Sequence, residues 1–421
     1  SLAVRYNGEM YVAYYDSVNG DLRLAKYVGT GGNCGTANRW SCETIDSDGN
    51  VGQYASLAMA HPAQFIGGTR YGISYYDATN HALKYAYYHC TYNFPISCSW
   101  TIEMIQSSSI ATTYYGLYSD LAYNEDNSPI IGYQLQSRVL FPTVKTIGTL
   151  KYAYRKTAGN CGVGDAAGDW NCETIDSGEG FGQYISMDLD TTGMPRFTYY
   201  DSHNASLRYA WYQGIFSSGC TSQTDGGWTC YVLDLYGGKF SSYDFQDASP
   251  YTERVAYYNP TNGMLRYATY VGYSSSTANC GWDDDDAKYI WRCDNIIEMG
   301  AGLLYADVSL ALDGDNYPLI AYTSEPEDQA PATVDIARPA SAVGELIGNC
   351  GPSGGLFQTW ICDTVGHAGA YLTEGSFISA ATNPVNDLVS IAYDEEDTYS
   401  GFTSMKIVQQ LFAIYLPMTM K

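Results

Sequence analysis

One Tyr-centred phrase returns seven times along the chain, and no other feature narrows the possible folds so far. It reads VAYYD at Tyr14, ISYYD at Tyr75, IGYQ at Tyr133, FTYYD at Tyr199, VAYYN at Tyr257, IAYTS at Tyr322 and IAYD at Tyr393. The copies are 61, 58, 66, 58, 65 and 71 residues apart. Such a period signals one repeat architecture rather than a string of unrelated domains.

Each Tyr sits in the second of four short segments. Strand a is seen in YASLAMA, YSDLAYN and YISMDLD, and strand b carries the Tyr. A turn such as DSVNGD, DATNHA or DSHNAS leads to strand c, in LRLAKY, LKYAYY, LRYAWY and LRYATY. A longer connection reaches strand d, in WSCETID, WTIEMIQ, WNCETID, WTCYVLD and WRCDNII. Large and small residues alternate with period two, and no segment keeps a helical period. A four-stranded antiparallel sheet cannot bury both faces alone, but seven packed around an axis can. The sequence therefore predicts an all-β, seven-bladed β-propeller as one domain, 1–421. Its blades fall at about 1–50, 51–110, 111–179, 180–238, 239–300, 301–368 and 369–421. The terminal AIYLPMTMK is expected to supply the seventh strand d, because Pro417 suits an edge strand. Ser1 matches Ser56 at strand a, so a removed upstream segment such as a secretory signal is expected.

Composition agrees: 42 Tyr favour strands and 43 Gly punctuate turns. The net charge of −24 repels phosphate backbones and anionic lipid, which argues against nucleic-acid partners. Apolar runs such as LFAIYLPM fall far short of the roughly 20 residues that span a bilayer, so no membrane insertion is expected.

The twelve Cys sort into one pair per unit for six units, each inside a c–d connection. The pairs are Cys34 with Cys42, Cys90 with Cys98, Cys161 with Cys172, Cys220 with Cys230, Cys280 with Cys293, and Cys350 with Cys362. Pairs on separate blades cannot converge on a metal, so disulfides and an oxidising, extracellular setting are expected.

An aromatic opens strand a at Tyr54, Tyr118, Tyr184, Phe240, Tyr305 and Phe377. In a propeller these rings circle the channel mouth, either packing between blades or lining a site for a sugar or peptide. Strand c carries a base at Arg23, Lys84, Lys151, Arg208, Arg266 and Lys406, and strand d an acid at Glu43, Glu103, Glu173, Asp294 and Asp363. Cross-strand pairs on each blade are expected from them. Asp16, Asp77 and Asp201 are expected to close Asx turns. The run Asp283 to Asp286 reads as a solvated loop ahead of a Ca²⁺ site, and five His lack metal spacing. No metal, cofactor or catalytic set is predicted, and MPRF at 194–197 reads as a turn into strand b. The least repetitive acids are Asp120 and Asp307, two residues beyond the channel aromatic where other blades have Ser.

The units ISYYDATNHALKYAYY and FTYYDSHNASLRYAWY, with WNCETIDSGEGFGQYISM, resemble secreted bacterial sialidase-like or BNR-type propellers. The resemblance covers nearly the whole chain and implies a propeller fold and an extracellular or cell-surface home. Sialidases of that kind would carry an Arg-Ile-Pro segment, three Arg for a carboxylate and a Tyr nucleophile with a nearby acid. No Arg-Ile-Pro occurs here, and turns such as DSVNGDL lack the aromatic ending of an Asp-box.

Since the prominent polar residues repeat, the expected function is a non-catalytic, secreted binding or adhesion module with a glycan or protein partner. Self-assembly into filaments or lattices is the second form of that expectation, through Tyr-rich contacts and the Cys-free seventh blade. The rival is a carbohydrate-active enzyme, hydrolase or lyase, using Asp120 and Asp307 at the channel mouth.

Overall fold

The structure is a computed structural model. It describes residues 1–61, 68–91, 94–141, 143–214, 217–221, 223, 226–246, 252–273, 275–283, 287–300, 302–303, 306–325, 332–345, 347–353, 358–369, 377–396 and 403–409.

Seven antiparallel sheets follow one another, each a simple meander from inner strand a outward. Blade 1 holds Leu2–Val4, Met10–Asp16, Asp21–Tyr27 and Trp40–Asp46 as strands a to d. Blade 2 holds Val51–Met59, Gly68–Asp77, Ala82–Cys90 and Cys98–Gln106; blade 3 holds Thr113–Tyr123, Pro129–Val139, Lys145–Arg155 and Trp170–Glu179. Blade 4 holds Gln183–Leu189, Pro195–Asp201, Ser206–Tyr212 and Trp228–Asp234. Blade 5 holds Lys239–Gln246, Thr252–Asn259, Met264–Tyr270 and Lys288–Glu298, with an extra outer strand at Cys280–Asp283. Blade 6 holds Val308–Leu312, Pro318–Ser324, Ala332–Pro339 and Trp360–Gly369, with an extra outer strand at Gly348–Ser353. Blade 7 shows Ile378–Thr382, Val389–Glu396 and Thr403–Gln409; the strand expected from AIYLPMTMK lies outside the described residues. Among the described residues no helix is long and apolar enough to cross a membrane.

The predicted seven-bladed propeller is therefore observed. Its b–c turns close as the DxxN spacing requires: Asp77 Oδ1 accepts the Thr79 and Asn80 N–H groups at 2.9 Å, and Oδ2 accepts Asn80 Nδ2 at 2.8 Å. Asp16 and Asp201 repeat this Asx turn.

A ring of side-chain hydrogen bonds ties the inner strands together. Ser1 Oγ accepts the Leu57 N–H (3.1 Å), Ser56 Oγ that of Leu121 (3.1 Å), and Asp120 Oδ2 that of Met187 (2.7 Å). Ser186, Ser242 and Ser309 accept from Tyr243, Leu310 and Ala380, each at 2.9 Å. Ser379 then accepts from Leu2 at 2.9 Å, joining blade 7 to blade 1 and closing the circle. An inner strand has no in-register neighbour on its channel side, so these six hydroxyls and the Asp120 carboxylate satisfy N–H groups that the sheet leaves unpaired.

Strand d explains why WxCETID is written twice. Its terminal Asp reaches forward to the next blade. Asp46 Oδ2 accepts Tyr75 OH (2.7 Å) and Lys84 Nζ (2.9 Å), and Asp176 Oδ2 accepts Tyr199 OH (2.5 Å) and Arg208 Nη2 (3.0 Å). Asp234 does the same for Tyr257 and Arg266. Its Trp reaches back: Trp170, Trp228, Trp291 and Trp360 meet Tyr85, Tyr152, Tyr209 and Tyr267 of the preceding blade edge-on, at 5.1 to 5.6 Å.

Lys84, Arg208 and Arg266 thus pair between blades instead of across strands c and d, while Arg23 meets Asp16 of its own blade at 3.3 Å and Lys151 donates to Thr174 at 3.2 Å. Strand b Tyr and strand c base share one face, buried against the preceding blade, whose strand d ends within reach in Asp46, Asp176 or Asp234 and, beside blade 3, in Gln106, which accepts Tyr133 OH. Glu173 bonds the hydroxyls of Tyr152 and Tyr154 instead, and Glu103 bonds Arg155 and Trp170 of blade 3. At one joint the charges are inverted. Asp335 stands opposite Tyr322 where other blades have the base, and Ile297 takes the place of the acid. Hydroxyls of Ser324, Thr333 and Thr364 satisfy Asp335 at 2.5 to 2.6 Å.

All six disulfides form as expected, and the described residues include no free Cys. Loop-closure entropy puts each at about 2–3 kcal/mol. Four of the loops also share an Asn-Cys-Gly triplet with a mechanism of its own. Asn33, Asn160, Asn279 and Asn349 each clamp the second Cys, accepting its N–H at 2.7 Å and donating to its carbonyl at 2.9 to 3.1 Å. In three of them the Gly that follows lies against the strand d Trp: a Cβ on Gly35, Gly281 or Gly351 would stand 2.7, 2.3 or 2.5 Å from the Trp40, Trp291 or Trp360 ring.

Candidate functional site

Strand direction sorts the molecule into two faces. The aromatic ends of strand a and the b–c turns share one, and the a–b turns and disulfide loops share the other. On the first face Tyr54, Tyr118, Tyr184 and Phe240 form a chain of touching rings, with centroids 4.7, 5.0 and 4.6 Å apart across successive blades. All four have φ of 50 to 54°, a left-handed conformation unfavourable for a bulky residue. Gly52, Gly116 and Gly238, two positions earlier, press their backbones against Leu22, Leu83 and Leu207, where a Cβ would lie 2.8 Å from the Leu Cα. The turned backbone and the ring contacts recur blade after blade, which makes this arc inter-blade packing. Phe377 donates its N–H to Asp394 at 2.8 Å in blade 7, and Tyr305 lies outside the described residues.

Asp120 and Asp307 are not equivalent. Asp120 occupies a place in the Ser ring, accepting from Ser56 Oγ (2.8 Å) and the Met187 and Leu121 N–H groups (2.7 and 3.0 Å). In blade 6 the ring place belongs to Ser309, and Asp307 falls two residues earlier, in the row of the aromatics. It accepts the Val308 and Ile378 N–H groups, both at 2.9 Å. The two sites therefore do not form a carboxylate pair of matching position.

Asp307 is partly buried, and burial raises its pKa to about 7 against the pull of those two N–H donors. A carboxyl that binds its proton more tightly when folded stabilises the fold fully below its unfolded pKa, and this contribution fades as pH rises toward the folded value. The expected result is a stability difference between wild type and Asp307→Asn that shifts against wild type between pH 4 and 7, from the ordinary 3.8 to about 7. The shift is on the order of 2–4 kcal/mol. Urea midpoints across that range read it, and parallel curves would contradict it.

The second face holds a cleft of about 640 Å³ between blades 4 and 5. Arg196, from the MPRF segment, anchors its floor. Nη1 donates to Glu253 Oε1 (2.8 Å) and Tyr209 OH (3.1 Å), while Nε and Nη2 reach Asp190 Oδ2 at 3.3 Å. The guanidinium lies 5.2 Å over the Trp211 ring and 5.3 Å over Phe245. Glu253 is 7 % exposed, and its Oε2 accepts Tyr209 OH and Tyr243 OH, the latter at 2.9 Å. Burial pushes the Glu253 carboxyl upward against the pull of Arg196 and the two phenols. Burial alone would lower Arg196, but Tyr209, Glu253 and Tyr243 more than offset it and hold the guanidinium charged.

The reading of MPRF as only a turn is thus corrected: Arg196 lies within strand b and its side chain organises the cleft floor. The cluster hid because its members are 57 residues apart and each resembles an ordinary strand-edge residue. A signal existed. Where Glu253 stands, the other strands b carry Met10, Tyr71, Pro129, Pro195, Pro318 and Val389. The outer wall comes from the extra strand of blade 5, which supplies Trp282, 42 % exposed, and Asp283, whose Oδ2 accepts Tyr273 OH at 2.9 Å. Residues 284–286 of the acidic run lie outside the described residues.

These features define the class: a disulfide-stapled, seven-bladed β-propeller with recurring inter-blade fastenings and a non-recurring cleft between blades 4 and 5. The chain matches no known family model and no curated protein.

Proposed function

We propose that the protein is a secreted, non-catalytic binding module whose ligand occupies the cleft between blades 4 and 5. The observation that carries this reading is the buried Arg196–Glu253 pair, which the other blades do not repeat, beneath an aromatic cleft of about 640 Å³. That volume suits a small-molecule or oligomer site, in the range of about 300–1,000 Å³. Six disulfides support an oxidising, extracellular location. The sialidase-like resemblance fits that location, but the guanidinium in this cleft is already taken by two acids, which supports binding over carboxylate-substrate chemistry. Asp120 and Asp307 spend oxygens on backbone N–H groups, which weighs against the enzyme reading.

Ligand-observed NMR with a fragment library tests the reading on wild type, Trp282→Ala and Tyr54→Ala. Hits are expected to vanish in Trp282→Ala and persist in Tyr54→Ala. The opposite pattern would move the site to the channel mouth, and release of reducing ends from a polysaccharide would establish the enzyme instead.

A further inference from the structure

The cleft's cations are already engaged. Arg196 faces Asp190 and Glu253, and Lys288 stands opposite Asp283 in register while its ammonium lies 5.1 Å over the Tyr273 ring. An anionic ligand therefore finds no open counter-charge, and would forfeit its hydration on entering. What the cleft offers is aromatic surface, in Trp211, Tyr270 and Trp282, beside oxygen acceptors on Asp190, Asp283 and Gln213. Asp190 is saturated, its oxygens accepting from the Thr192 and Met194 N–H groups, the Thr192 hydroxyl and the Arg196 guanidinium, whereas the Gln213 and Asp283 oxygens can accept more than the bonds they receive from Thr229 and Tyr273. Aromatic faces suit flat apolar patches, and acceptors suit ligands rich in O–H donors.

We infer that the blade 4–5 cleft binds a neutral oligosaccharide, with pyranose C–H faces against Trp211 and Trp282 and ring hydroxyls donating to Gln213 and Asp283. A proline-rich peptide also fits aromatic grooves, but its backbone lacks N–H donors at proline and would bury these acceptors unpaired. Acidic sugars meet three carboxylates against two cations. The strand that carries Trp282 has a counterpart in blade 6 alone among the described blades, so the site is local to one sector of the wheel.

The inference rests on the binding reading above, and calorimetric titration of the full chain tests it. The probes are neutral hexasaccharides of glucose, mannose and xylose, a galacturonic acid hexamer, and a proline-rich decapeptide. At least one neutral hexasaccharide is expected to bind, with affinity reduced about 10- to 100-fold in Trp282→Ala and by a smaller factor in Gln213→Ala, both variants keeping the wild-type melting temperature. Preferential binding of the acidic hexamer or the decapeptide would overturn it, as would neutral-sugar affinity indifferent to Trp282→Ala. If no sugar binds while fragments still occupy the cleft, the ligand class is wrong and the binding reading stands. If fragments also fail, both fall.

Discussion

Asp176→Ala is expected to destabilise the protein by about 3–5 kcal/mol, the largest effect of any single substitution considered. The side chain is fully buried and joins blades 3 and 4 through four hydrogen bonds. Its Oδ2 takes Tyr199 OH and Arg208, and its Oδ1 takes the Thr221 N–H at 2.7 Å and Thr221 hydroxyl at 2.8 Å. Truncation leaves a buried guanidinium without its carboxylate and a buried phenol without an acceptor, and both pay the full desolvation cost. Guanidinium chloride unfolding reads this as a lower midpoint at unchanged slope. A loss below about 1 kcal/mol would mean that the joint is solvated and the fastening ornamental.

The second large effect concerns the inverted joint between blades 5 and 6. Asp335→Arg alone places a cation where the acid position holds Ile297, and is expected to cost about 3 kcal/mol or more. Ile297→Asp alone sets a carboxylate towards Asp335 and is expected to be similarly harmful. Together the two substitutions recreate the arrangement of Asp176 with Arg208, and they are expected to recover about 2–3 kcal/mol of the summed loss. A double-mutant cycle measures that coupling. Additive losses would show that the strand c charge does not communicate with the preceding blade.

Much of the fold was legible because a repeat constrains itself. Seven Tyr phrases give the blade number, and Cys confined to single c–d connections give the six disulfides. What stayed hidden lies between copies. Glu43, Glu103 and Glu173 stand on the neighbouring strand d and look like the partners of the strand c bases, but the closed wheel brings Asp46, Asp176 and Asp234 to Lys84, Arg208 and Arg266. Asp307 reads as a ring residue until strand register shows Ser309 in that place, because residues counted from Tyr305 mislead by two. Arg196 and Glu253 are the same problem on the functional side: each is unremarkable alone, and only the packing of blade 4 on blade 5 brings them to 2.8 Å. Subtracting the repeat from the sequence, position by position, isolates Glu253; no local motif does.

The central claim is that recurring residues fasten the wheel while the non-recurring cluster receives the ligand. A crystal structure of the protein soaked with the fragment or neutral oligosaccharide that binds it tests this most directly. The account expects density between blades 4 and 5, against Trp211 and Trp282 and above Arg196. Density at the channel mouth, on the arc of Tyr54, Tyr118, Tyr184 and Phe240, would contradict it.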